Sequence, residues 1–349
     1  MITLFYTALI CLLGYIFSDQ SKDSRLRYAI GAGLILSLIS GLRHIMVGTD
    51  DTYIYSMQFL DVQNTSFDML LKSDEKDPYY QVFSKIVGML VGNNFNLVLL
   101  VYAVIFVVPV SIMIYKESPK MFLSYIILLS MGFFSFSMNG IRQGLAMSFV
   151  ILSFPYLRDR KLWKFIACVI IASLFHKTAL IFLGAYWLAF IPLNKKTMFF
   201  YLIIFAACLL YGDQIARFIA TESSVYDTRF EGYITRTNGL TYSGLIQFLL
   251  FFVLCFAYYK PTVKYDKTSI CWFNMLILAI IFQTMAVVIA EFFRVAMYFS
   301  VFLIILVPKV LESVPINNRK IYTGILSVLL LIYFFYLGAG TIEYKFFWQ

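Results

Sequence analysis

The sequence predicts an all-α, polytopic membrane bundle, and three observations carry that prediction. The 349 residues are 61% apolar and 13% charged, against roughly 25% charged in soluble domains. The apolar residues recur in about a dozen blocks of ~15–22 residues, the length that crosses a bilayer. Lys and Arg gather in alternate connections between those blocks, as membrane orientation requires. A single integral domain over residues 1–349 is expected, with two longer connections near 43–94 and 213–242.

In chain order, the first span covers residues 2–17; it has no basic leader or small-residue cleavage site, so it reads as a span and not a removed signal. The second, 28–42, runs into Arg43 and His44. The connection 43–94 carries Asp50, Asp51, Asp61, Asp68, Asp74, Glu75 and Asp77 among many aromatics, a mixture that favours ordered helices lying over the bundle. Spans follow at 95–114, 121–137, 144–157, 162–175, 178–193 and 197–212. After the connection 213–242, which holds Tyr226, Arg229, Tyr233 and Arg236, come spans at 243–259, 269–290, 295–307 and 321–338. Several are short for a crossing, so tilt or partial re-entry is expected. The five cysteines lie in or beside apolar blocks without CxxC spacing, and read as small buried hydrophobes instead of disulfides or metal ligands.

Most basic residues fall in one set of alternate connections, including Arg25 and Arg27, Lys116 and Lys120, Arg158 to Lys164, and Arg319 and Lys320. That set is expected to be cytoplasmic, which turns both termini and both long connections outward. The net charge of +9 thus reports topology, and nucleic acid is not an expected partner.

The basic residues on the other side need a second explanation. Arg43, His44, Arg142, His176, Lys177 and Arg294 stand where spans meet the outer surface, and the two histidines are the only ones in the chain. Several cations at one depth with few counter-charges form an anion receptor. Arg142 is the centre of this expectation. It sits in Asn139-Gly140-Ile141-Arg142-Gln143-Gly144 between two apolar runs, and i, i+3, i+4 spacing puts Asn139, Arg142 and Gln143 on one helical face. Gly140 and Gly144 form GxxxG, which admits a second backbone closely. Other readings stay open: Arg43 as a snorkelling side chain, His176 as a structural histidine, and Glu291 with Arg294 as an i, i+3 ion pair. Asp50 and Asp51, flanked by threonines and followed by Tyr53 and Tyr55, read as a shaped acidic loop able to supply a base or to orient the arginines.

Three segments in this order, RHIMVGTDDTYIY at 43–55, NGIRQGLAMSF at 139–149 and SLFHKTALIF at 173–182, with FFRVAMYFS at 292–300 as a looser fourth, resemble the EpsG-type branch of Wzy-like bacterial polysaccharide polymerases. The resemblance implies a membrane glycosyltransferase of GT-C type in the bacterial inner membrane, making O-antigen, capsule or exopolysaccharide. Its donor and acceptor would both be polyprenyl-diphosphate-linked oligosaccharides, joined at the outer face. By the family's pattern Arg43, Asp50, Thr52 and Tyr55 match its first motif, Arg142 and Gln143 its second, and His176 its third. A chain-length regulator and a flippase are the implied partners.

On that reading the leaving lipid diphosphate accumulates negative charge. A guanidinium binds phosphate oxygens bidentately and stays charged. Arg142 is expected to bind the diphosphate with Arg43 or Arg294 assisting. His176 would orient or protonate it, and Asp50 or Glu291 would deprotonate the acceptor. His44, Asp51, Tyr55, Asn139, Gln143, Lys177 and Arg229 complete the expected substrate contacts. No cofactor and no metal are expected. The rival readings are a flippase of lipid-linked glycans, which calls for charges deep in spans and two related halves, and a membrane acyltransferase with His176 as its base.

Overall fold

The computed structural model describes residues 2–17, 21–47, 51–72, 77–222, 242–287, 289–336, 340 and 342–349. Two of the expected site residues, Asp50 and Arg229, lie outside the described residues.

The chain opens with α1 (Ile2–Ile16) and α2 (Lys22–Gly41). Ser21 caps α2, its side-chain oxygen accepting from the Ser24 N–H, one of the donors a helix start leaves unsatisfied. The first long connection folds into α3 (Asp51–Asn64), α4 (Phe67–Lys72) and α5 (Pro78–Leu90). There follow α6 (Phe95–Glu117), α7 (Met121–Ser130), α8 (Phe133–Asn139), α9 (Ile141–Arg158) and α10 (Leu162–Phe175). A 3₁₀ segment, Lys177–Gly184, leads to α11 (Ala185–Leu188) and α12 (Lys195–Glu222). The remainder comprises α13 (Ser243–Phe256), α14 (Tyr259–Tyr265), α15 (Ser269–Ala286), α16 (Phe292–Ser300), α17 (Leu303–Ser313) and α18 (Ile316–Tyr336).

Most expected spans coincide with α-helix, the 178–193 block being mainly a 3₁₀ segment, but the structure supports fewer candidate crossings than the expected twelve. Among the described residues, four helices are long and apolar enough to cross a membrane: Phe95–Glu117, Lys195–Gly212, Ser269–Ala286 and Ile316–Tyr336. The number rises to seven if each bent pair is one span. The reason is helix breakage inside apolar blocks. The 121–137 block bends by 49° between α7 and α8, where Gly132 takes the left-handed φ of 76° that glycine adopts without steric cost. The pairs α13–α14 and α16–α17 bend by 65° and 43°. The helices α1 and α10 are apolar but shorter.

The chain divides into two compact units, Met1–Leu183 with Pro315–Gln349, and Gly184–Val314. In the first, α2 packs along α6, α9 lies between α6 and α10, and α5 rests against α3, α4, α6 and α10. The second is centred on α15, 89% buried, with α12, α13 and α16 around it. Asn274 pins that core: its Oδ1 accepts from the Tyr201 hydroxyl at 2.9 Å, and its Nδ2 lies 3.0 Å from the carbonyls of Ala189 and Ile191. An amide so satisfied avoids the cost of a buried orphan polar group.

Candidate functional site

Arg142 stands in the first turn of α9. The helix breaks at Gly140, so Asn139 ends α8 while Arg142 and Gln143 begin α9. The common face expected of Asn139, Arg142 and Gln143 is therefore corrected. Asn139 turns its Nδ2 back to the Ser135 carbonyl at 3.2 Å, and Gln143 is buried. The close approach expected of GxxxG is present at Gly144, where a Cβ would meet Ser137 Cα of α8 at 3.1 Å. A side chain at this position would press on the backbone of α8, so glycine suits the tight fold-back of α8 on the start of α9.

Three elements converge on Arg142. From α3, the Tyr55 hydroxyl accepts a hydrogen bond from Arg142 Nε at 3.1 Å. From the start of α5, Asp77 Oδ2 lies 3.3 Å from Arg142 Nη1. From the end of α10, His176 Nδ1 lies 3.5 Å from the same Asp77 oxygen. That last distance suits a charge pair when the imidazole is protonated, and is too long for a strong hydrogen bond. One carboxylate thus faces both a guanidinium and an imidazole. Asp77 is 6% exposed, whereas the side chains of Arg142 and His176 are 23% and 19% exposed, so both are more open than the carboxylate between them.

Asp77 was not among the expected site residues. It adopts φ 56°, ψ 62°, the left-handed region, immediately before Pro78. Such a backbone costs ~1–3 kcal/mol for a non-glycine residue and persists only where its surroundings over-determine it. The readable signal was the dipeptide itself. Asp-Pro marks a helix start with a restricted preceding residue, and the two tyrosines of Asp77-Pro78-Tyr79-Tyr80 set it apart from the other acidic residues of its loop.

Aromatic packing holds the cluster from below. Tyr80 meets Tyr55 edge-on at 5.8 Å and Tyr102 of α6 at 6.1 Å. Burial first, then Tyr102 and Tyr55 beside it, push the Tyr80 hydroxyl well above the ordinary tyrosine range, so it serves as a neutral wall. Phe83 of α5 meets Phe175 edge-on at 5.1 Å, and Phe175 stacks on Phe149 of α9 at 5.5 Å. Phe175 immediately precedes His176, so these contacts fix where the imidazole emerges.

Arg43 does not join this cluster through its guanidinium. It is 1% exposed and donates from Nη2 to the Met138 carbonyl at 2.6 Å and from Nη1 to the Ser40 carbonyl. Thr52, buried in α3, donates to the same Met138 carbonyl at 3.2 Å. Burial pushes the Arg43 guanidinium down to about 10, which leaves it cationic at neutral pH. Arg43 and Thr52 therefore clamp the end of α8 two residues before Gly140, and bear on Arg142 through the backbone. The C-terminal segment closes over Arg43. Arg43 pairs with Phe346 as an antiparallel bridge, the His44 N–H donates to the Lys345 carbonyl at 2.8 Å, the Phe347 N–H to Leu42 at 3.0 Å, and the Tyr344 hydroxyl to Ile39.

The other expected residues are placed as follows. His44 is half-buried, its Nδ1 accepting from the Met46 N–H at 3.2 Å. Asp51 begins α3, and Lys177 is exposed at the start of the 3₁₀ segment. Glu291 and Arg294 belong to the second unit, where Glu291 precedes α16, its carbonyl accepts from the Arg294 N–H at 3.0 Å, and the Arg294 guanidinium lies 5.8 Å from the Phe293 ring. Among the described residues no group of three His, Cys, Asp or Glu side chains comes together to hold a metal ion.

The model of the EpsG family matches residues 26–348, nearly the whole chain. The chain belongs to the EpsG family. EpsG is a Wzy-like family of polysaccharide polymerases, and the apolar helices of this EpsG protein fit a multi-pass membrane protein of that type. The match embraces every element of the Arg142 cluster and the C-terminal segment closed over Arg43. No curated protein and no solved structure matches the chain.

Proposed function

We propose that this EpsG-family protein is a glycosyltransferase that polymerises polyprenyl-diphosphate-linked oligosaccharides at the outer face of the inner membrane. The observation that supports the reading most is the Arg142–Asp77–His176 arrangement, with an enclosed carboxylate between a partly exposed guanidinium and a partly exposed imidazole.

Arg142 binds the diphosphate of the donor. Tyr55 and Asp77 hold its guanidinium in one orientation, so no reorganisation is needed as charge builds on the leaving group. The acceptor hydroxyl attacks the anomeric carbon; the new glycosidic C–O bond forms as the bond from that carbon to the diphosphate oxygen breaks. His176, its Nδ1 turned to Asp77, takes the hydroxyl proton on Nε2, and Asp77 stabilises the imidazolium. Asp77 thereby takes the orienting role that sequence reasoning allowed for Asp50, and His176 takes the role of base given there to Asp50 or Glu291. Lipid diphosphate leaves with both bonding electrons.

The test is incubation of purified protein with a lipid-linked repeat unit in detergent, without nucleotide sugar. A ladder of lipid-linked polymers is the expected outcome. Unaltered single repeats, together with their translocation in liposomes, would replace the polymerase with a flippase.

A further inference from the structure

A cavity of about 460 Å³ opens at the other end of α2 from the Arg142 cluster, enclosed by α1, the first turn of α2, the start of α7 and one residue of α18. Arg25 lines it, and Arg43 lies 18 residues later on the same helix line, about 27 Å away at 1.5 Å per residue. The cavity is therefore distinct from the candidate active site.

Three features give it a chemical character. Arg25 and Lys120 both line it, and no carboxylate does among the described residues. Both cations are fixed: Arg25 Nη2 donates to the carbonyls of Tyr115 and Ser118 at 2.6 and 2.9 Å, and Lys120 Nζ donates to Thr323 Oγ1 at 3.0 Å. Tyr28, 2% exposed, lines the same cavity, and its buried hydroxyl has no hydrogen-bond partner among the described residues. A buried orphan hydroxyl is uncommon and calls for a ligand. The rest of the lining, including Phe122 and Leu123, is apolar.

We infer that this cavity binds the phosphate headgroup of an anionic membrane phospholipid. Arg25 and Lys120 supply the charge, the Tyr28 hydroxyl donates to a phosphate oxygen, and the apolar wall takes the start of an acyl chain. Basic pockets between membrane helices are suited to such headgroups. A free anion would meet the same cations but would leave the apolar wall uncovered, which favours the lipid. The inference stands apart from the polymerase reading, since it uses none of the same side chains.

Native mass spectrometry of the full-length protein in detergent tests it, with phosphatidylglycerol as probe and phosphatidylcholine as the zwitterionic control. The protein should retain phosphatidylglycerol in preference. Lys120→Gln should weaken that retention about fivefold, the effect of one basic group at an anionic lipid surface. Arg25→Gln also removes contacts that secure the end of α6, so the decisive second variant is Tyr28→Phe, which deletes only the hydroxyl. It should lower retention without lowering the melting temperature in lipid-free detergent. Equal retention of the two lipids, or wild-type retention by folded Lys120→Gln and Tyr28→Phe, would overturn the proposal. Displacement of phosphatidylglycerol by inorganic phosphate would overturn the lipid assignment in favour of a free-anion site.

Discussion

Arg43 and Arg142 stand at the same end of the first unit and share the Met138–Gly140 junction, yet their surroundings are opposite. Arg43 is sealed, its Nη1 and Nη2 donating to the carbonyls of Ser40 and Met138. Arg142 is partly open, and its partners are a phenol and a carboxylate. Both positions looked like anion ligands in sequence. The difference lies in what satisfies the guanidinium. Neutral carbonyls that enclose a cation make it a clamp. A carboxylate and a phenol that hold a partly exposed guanidinium from one side leave it oriented and accessible.

The comparison breaks most easily at Arg142. Arg142→Ala should reduce polymerisation by about 10²–10³-fold, the cost of deleting one donor aimed at developing charge, while the folded protein is recovered at its normal level. Polymer length on gels, normalised to protein, measures this. Asp77→Asn should cost a similar or slightly smaller factor, about 10²-fold, because the general base loses its orienting carboxylate. Its diagnostic is that substrate binding by Arg142 survives, so the loss falls on turnover. If turnover is normal, Asp77 only braces the helix start.

Arg43 should behave in the opposite sense. Arg43→Ala leaves the carbonyls of Ser40 and Met138 without donors and opens a void, a loss of about 3 kcal/mol. Lower yield and a lower melting temperature should precede any loss of turnover per folded molecule. Removing the C-terminal residues from Tyr344 onward should reproduce part of this effect, since it uncovers Arg43 and cuts the backbone bonds to Leu42 and His44. Tyr55→Phe should have the smallest effect, about tenfold in activity, from one hydrogen bond to a charged group.

Much of this architecture was legible in the sequence. Apolar blocks located most of the described helices, and the aromatics of the 43–94 connection suggested ordered helices, found as α3 to α5. What hydropathy does not register is a break within an apolar run. Gly132 bends the 121–137 block, and Gly140 parts Asn139 from Arg142, although both flanks are apolar. In the candidate site, Arg142 and His176 could be singled out in sequence because polar residues interrupting apolar runs are conspicuous. Asp77 was missed because it lay among Asp68, Asp74 and Glu75, where composition cannot separate the acid that folds back from those that face water. Arg43 was misjudged for a related reason, as sequence does not reveal that residues 344–347 return to cover it.

The most direct measurement compares Arg142→Lys with wild type, each purified and incubated with lipid-linked repeat units. Lysine keeps the charge and removes the planar fork. The account predicts a folded protein, still paired with Asp77, that yields mainly single repeats. A normal polymer ladder at equal amounts of folded Arg142→Lys protein would contradict the claim that this guanidinium holds the diphosphate.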